Sequence, residues 1–422
     1  MYRLFICFCF FFFLFLSSAN SQAVYFITAD RVFDGENLHT NWAVVISGDK
    51  ITAVGPVQQV AVPPQAIKVN YPNSTLLPGL IEAHTHLFLY PYNITNWDMQ
   101  VLKETDSYRT IRATVHAKNT LMAGFTTARD LGTEGAGYSD VALKQAIQAG
   151  IIPGPRLIVA GRAIVATGTY GPKGYDHDQQ IMLGAETADG NDLIRVTRDQ
   201  IGKGADVVKV YADYRWGKEN ESMPTFSIEE LSLIVETAKS SGRAVVAHAS
   251  TAEGMRRAVM AGVETIEHGD GGTPEVFNLM KSKNVALCPT LAATESISKY
   301  KGWRKGIDPD PEAVKKHKTS FKSAIESGVT ILVGGDVGVF AHGENVLEME
   351  LLVEYGLSPL NTLKAATQVN ARALHLNSQV GSLKEGWMGD VVIVSGDPTK
   401  NISDLRNIKF VMKEGIVYRH EK

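Results

Sequence analysis

The sequence predicts an α/β protein, a (β/α)8 TIM-like barrel that carries a small β-sandwich built from the two ends of the chain. Three observations predict it. Between residues 78 and 375, eight apolar, strand-like runs alternate with amphipathic stretches, the pattern of parallel strands joined by helical crossovers. Residues 24–77 and 376–422 instead show short alternating runs punctuated by glycine, which suits half-buried strands. No phosphate-cradling glycine fingerprint follows the first apolar run, which argues against an open dinucleotide-binding sheet.

Residues 1–23 read as an export signal rather than part of the fold. Arg3 supplies a positive start, Leu4–Leu16 is apolar throughout, and Ser21 and Ala23 offer small residues for cleavage. Those 13 apolar residues fall short of the ~20 that cross a bilayer. The expectation is a periplasmic or secreted protein with no stable membrane insertion after cleavage. Of three cysteines, Cys7 and Cys9 lie in this signal, so Cys288 stands alone and no internal disulfide forms. Cys288, in VALCPT, reads as buried filler.

The first β segment comprises VYFITADRVFDG, WAVVISGDKITAVG and AIKVNYPNSTLLP. The barrel runs follow: GLIEAHTH, GFTTARDLG, GPRLIVAGRAI, ADVVKVYAD, RAVVAHAS, VETIEHGD, NVALCPTLA and VTILVGGD. Helical periodicity marks Tyr108–Met122, Ser227–Ser240, Ala252–Ala261, Pro274–Lys281 and Pro311–Glu326, with Leu347–Tyr355 and Pro359–His375 as the last barrel helices. Ser227 and Thr273-Pro274 are good helix starts, and Gly242, Gly262 and Gly328 sit where helices should stop. GSLKEGWMGDVVIVSG and IKFVMKEGIVYR then return to the β pattern. Four N-x-S/T sequons, at Asn73, Asn93, Asn220 and Asn401, matter only in a glycosylating pathway.

A net charge of −3 gives no electrostatic case for a nucleic-acid partner. The expected partner is a small-molecule substrate, and a homo-oligomer is left open. The chemistry gathers at the strand ends, where barrel enzymes build their sites. His84 and His86 end the first run and share a face, because strand side chains alternate. Lys209 lies in the fourth, His248 in the fifth, His268 in the sixth and Asp336 in the eighth. Imidazoles and carboxylates are ligands for zinc and similar divalent ions. Burial in VVKVY would push the Lys209 amine toward its neutral form. A neutral amine reacts with carbon dioxide to give a carbamate, N6-carboxylysine, able to bridge two metals.

Together, PGLIEAHTHL, VVKVYAD, VVAHAS, TIEHGD and VGGD resemble the amidohydrolase superfamily, in particular its imidazolonepropionase-like and Xaa-Pro dipeptidase-like branch. The tail, with TLKAATQVNARAL and VGSLKEGWMGDVVIVSGDP, carries the resemblance through nearly all of the mature chain. The resemblance implies a binuclear site, most simply zinc. His84, His86 and Asp336 would hold one metal, His248 and His268 the other, and carboxylated Lys209 would bridge both. It implies attack of a metal-activated hydroxide on an amide or ester carbonyl, with Asp336 taking the proton and passing it to the leaving amine.

The chain departs from that pattern in two places. Glu82 stands where relatives often have Asp. Gly168-Thr169-Tyr170 stands where dipeptidase-like relatives often carry Gly-Gly-His, so Tyr170 is the candidate to polarise the carbonyl. His177, nearby, reads as a solvated loop residue. Phe88, Tyr90, Tyr92, Trp97, Tyr211, Tyr214 and Trp216 make the predicted rim aromatic, and Tyr211, Arg215 and Lys173 are the candidate substrate contacts. The expected reaction is hydrolysis of an amide in a dipeptide or N-acyl amino acid. The alternatives are a cyclic amide, lactone or carbamate in the same site, or a non-catalytic exported binding protein on this scaffold.

Overall fold

In the computed structural model, residues 23–176 and 178–421 are described; the expected export signal, residues 1–23, lies outside them except for Ala23, as do His177 and Lys422. The alternating N-terminal runs form strands Val24–Phe33, Trp42–Ser47, Lys50–Pro56 and Ile67–Pro78. Val24–Phe33 pairs parallel with Ile67–Pro78, placing Ile27 opposite Val69. The C-terminal strands Val391–Ser395, Ile408–Lys413 and Ile416–His420 join the same sheet, with Val392 opposite Leu77. The two chain ends thus build one continuous eight-stranded sheet. It curls over a shared core, where Ile46 and Ile51 from one end meet Phe410 and Met412 from the other.

Ile67–Pro78 runs directly into the barrel. The seam is tight: a Cβ on Gly79 would lie 2.1 Å from Thr126 Oγ1, so only glycine fits. Parallel strands Leu80–Thr85, Phe125–Asp130 and Arg156–Val159 form one wall. The other contains Ile164–Val165, Val208–Tyr211, Val245–Thr251, Thr265–Gly271 and Ala286–Cys288. Asp206 N donates to Val159 O at 2.8 Å between the walls.

The eighth run, VTILVGGD, differs from a regular strand. Only Ile331 bridges the seventh strand, at Leu287, and Val337 bridges the first, at Thr85. Side chains complete what the ladder leaves open. Asn370 Nδ2 donates to both Ile81 O and Val333 O at 2.8 Å, and Glu82 Oε1 accepts from Gly335 N at 2.9 Å. Glu82 is fully buried, so its carboxylate pins the eighth run to the first strand.

The helices begin and end where their caps dictate. Ile228–Lys239 starts on a capping box of Ser227 and Glu230, and Pro274–Ser282 starts on proline. Ala252–Ala261 and Glu312–Ser327 stop at Gly262 and Gly328, both left-handed. Pro359–His375 is not one α-helix: a π turn over Ala365–Val369 interrupts it just before Asn370. Further helices form at Trp97–Lys103, Ser139–Gln148, Asp192–Gly202 and Leu291–Tyr300. Among the described residues, no helix is long and apolar enough to cross a membrane.

Candidate active site

The C-terminal ends of the barrel strands bring the six predicted metal ligands into one cluster. The His84 ring lies 5.3 Å from that of His86 and 5.1 Å from that of His268, and His248 lies 4.5 Å from His268. Asp336 Oδ1 is 3.3 Å from His86 Nε2 and 3.6 Å from His84 Nε2.

What fits this cluster to a metal is the use of the other ring nitrogens. His84 Nδ1 donates to Glu267 at 2.8 Å, and His86 Nδ1 donates to Gly132 O at 2.8 Å. His268 Nδ1 meets Thr290 Oγ1 at 2.8 Å. Fixing the proton on Nδ1 leaves the Nε2 lone pair pointing to the centre, as metal-binding imidazoles require. His84 Nε2 is buried there without a hydrogen-bond partner among the described residues. His248 is turned differently: its Nε2 sits 3.5 Å from Ser250 Oγ and 3.7 Å from Asp213, which leaves Nδ1 as its uncommitted nitrogen.

Lys209 is 1% exposed and makes no ion pair among the described residues. Burial lowers its pKa. Its charge in turn depresses His84, held by burial at about 4, and His248. Burial outweighs Glu267 and Asp336, which favour the lysine cation, so the amine is driven toward its neutral form beside His84 and His248. Burial also opposes charge on Asp336, but His84 and His86 overcome it and hold the carboxyl below its usual range.

The local backbone is strained around these groups. His268 has φ 76°, Thr290 53°, Asp336 59° and Glu134 50°, all left-handed and none glycine. Such residues persist where surrounding structure over-determines them, most often at functional sites.

A cavity of about 380 Å³ opens over His86, His248, His268 and Asp336. Its wall includes Tyr92, Trp97, Tyr170, Tyr211, Tyr214 and Arg215. Tyr211 stacks on His248 at 4.5 Å. Tyr170 reaches the cavity, but its hydroxyl donates to Glu134 at 2.5 Å, so that proton is committed away from a substrate carbonyl. Lys173 is not on this wall: it is exposed and donates to Arg215 O.

Together, this cluster on a barrel with a two-ended β unit matches the family model described as "Amidohydrolase family" over residues 75–417. The chain belongs to that family. An amidohydrolase of this kind is a hydrolase acting on carbon–nitrogen bonds. It is 31% identical over 414 residues to ochratoxinase of Aspergillus niger, covering 90% of this chain and 82% of that protein. Among solved structures, a Xaa-Pro dipeptidase with methionine bound in its active site superposes with a TM-score of 0.83 at 29% identity, covering 94% of this chain and all of that one. The A. niger ochratoxinase structure superposes at 0.81 with 27% identity, over 95% of this chain and 96% of that one.

The sequence reasoning missed the residues behind the ligands of this amidohydrolase. Glu267 immediately precedes His268 yet serves His84; Gly132 and Thr290 lie just past strand ends, in irregular segments. Glu134, between glycines in GTEGAG after the second strand, was the most legible of them, as a lone acid in a loop at the catalytic end of the barrel.

Proposed function

We propose that this amidohydrolase is exported and cleaves an amide in a small substrate, a dipeptide of Xaa-Pro type or an N-acyl amino acid, with two divalent ions, zinc foremost. The observation that carries this reading is the set of Nδ1-anchored imidazoles aimed at Asp336 beside a buried lysine with no ion-pair partner among the described residues. When bound, the metals would polarise the scissile carbonyl and acidify a water. His84, His86 and Asp336 would hold one, His248 and His268 the other, and Lys209 as its carbamate would join them. Asp336, kept ionised by its histidines, would accept the water proton and return it to the leaving amine. The aromatic wall would exclude water and take an apolar side chain.

Lys209 also favours this reading over an imidazolonepropionase-type ring opening, which needs no bridging lysine. The test is a screen of dipeptides and N-acyl amino acids with the metal-loaded mature protein. Hydrolysis that disappears with a chelator and returns with zinc or manganese is expected. Activity indifferent to chelation, or confined to lactones, would refute the proposal.

A further inference from the structure

We propose that Glu134, set among Trp97, Tyr170 and Tyr214 beside the metal cluster, anchors a substrate ammonium, so that the enzyme selects amides bearing a free α-amine over N-acylated ones. This rests on the amide-hydrolase reading and decides between its two substrate classes.

Glu134 is presented by a clamped loop. Arg109, fully buried, donates to Thr133 O and Glu134 O at 2.8 Å each and to Phe88 O at 3.2 Å. All of its hydrogen bonds go to main-chain carbonyls, so its guanidinium meets the Glu134 carboxylate through space and not as a direct ion pair. No cationic side chain pairs with that carboxylate among the described residues. Yet Glu134 is 3% exposed, and an unpaired carboxylate is costly at that depth. The cavity wall thus holds a carboxyl group with no direct ion-pair partner among the described residues.

The carboxylate is also only half used. Oε2 accepts from Trp97 Nε1 at 3.0 Å and from the Tyr170 hydroxyl. Oε1 has no hydrogen-bond partner among the described residues, and it is not one of the sealed, orphaned polar atoms. Holding Trp97 and Tyr170 needs only an acceptor; a glutamine carbonyl would do it. Those two bonds alone do not call for a carboxylate at this position.

The surroundings suit a cation. Tyr170 packs edge-on to Trp97 at 5.5 Å and lies 4.7 Å from both Tyr211 and Tyr214. Aromatic faces beside a carboxylate form the usual cage for an ammonium group. The distance suits an α-amine as well. A Cβ placed on Gly132 would lie 3.6 Å from Glu134 Oε1 and 3.9 Å from the His86 ring. The anchor and a metal-ligating histidine are therefore near neighbours, as an amine two bonds from the scissile carbonyl requires. An N-acyl group would bring a neutral amide to the same carboxylate and leave its charge unanswered.

The test measures binding and turnover separately. Metal-loaded protein is titrated with L-methioninamide, cationic at neutral pH, and with neutral N-acetyl-L-methioninamide, in wild type, Glu134→Gln and Trp97→Phe. Wild type should bind the cation at least about tenfold more tightly, the value of a charge-assisted hydrogen bond. E134Q, which keeps both acceptor bonds, should erase that difference, and W97F should narrow it. Equal binding in wild type would overturn the proposal, with no need of a variant. So would a preference that survives in E134Q, which would place the amine on a metal, or an equal weakening of both ligands, which would make Glu134 a positioning residue for Tyr170. Turnover of a dipeptide and its N-acetyl form is then compared. If neither is cleaved while the binding preference holds, amide hydrolysis of these substrates fails and the anchor stands.

Discussion

Glu267 and His84 are joined by a 2.8 Å hydrogen bond from Nδ1 to Oε2, with both side chains sealed from solvent. The other Glu267 oxygen accepts from Arg129 at 2.9 Å. Burial works against a charged Glu267, but Arg129 and His84 overcome it and keep the carboxyl well below its usual range. A guanidinium, a carboxylate and an imidazole thus form one chain that ends at the lone pair of His84 Nε2.

Glu267→Gln should therefore act through His84. Metal affinity is expected to fall roughly 10- to 100-fold, the usual effect of removing the partner of a ligating histidine. Arg129 loses its buried counter-charge at the same time, so stability should fall by about 3 kcal/mol or more. Metal competition and thermal unfolding measure the two effects; unchanged metal affinity would show that His84 needs no such support.

If Lys209 bridges two ions as proposed, Lys209→Ala should reduce the metal content from about two ions per chain to about one, because the bridge would be lost while His84, His86 and Asp336 remain. Metal analysis of the purified variant reads this directly. Added short carboxylic acids should restore part of the activity by filling the space of the carbamate. Two ions retained in the variant would remove Lys209 from the bridging role.

Arg109→Met would leave the carbonyls of Phe88, Thr133 and Glu134 without their buried donor. A loss of about 3 kcal/mol is expected, one to three for each unsatisfied group less what relaxation recovers. KM should rise more than kcat falls, since the loop presents Glu134 and the Gly132 carbonyl. Denaturant unfolding and steady-state kinetics test the two halves.

His116 supplies a pH dependence away from the metal cluster. Its ring stacks on His342 at 4.2 Å, and burial holds its pKa down at about 4, against 6.5 for a free imidazole. Between those values the unfolded chain takes up a proton that the folded protein refuses. The stability from the neutral ring is thus complete above pH 6.5 and is lost as pH falls toward 4. In His116→Gln the fall in stability over that window should be shallower than in wild type. Chemical denaturation at several pH values gives the slopes; parallel slopes would refute it.

The sequence by itself determined the fold class and picked out the six candidate ligands that the strand ends bring together. Both depend on local, periodic information. A strand must alternate, a helix must be capped, and a ligand at a strand end announces itself by following an apolar run. Ser227, Gly262 and Gly328 mark helix limits because their chemistry acts within a turn of where they stand. The eighth barrel position was less legible: Gly334-Gly335 breaks the ladder, and Asn370 and Glu82, far away in sequence, supply the missing hydrogen bonds. The orientation of the ligands was decided only by tertiary structure. His84 depends on Glu267, His86 on Gly132 and His268 on Thr290. Each pair joins different strands or loops, and closure of the barrel is what brings them within hydrogen-bonding distance. The same holds for Glu134: it sits in the glycine-rich stretch GTEGAG, and its meaning comes from Trp97 and Tyr170, which reach it from other segments.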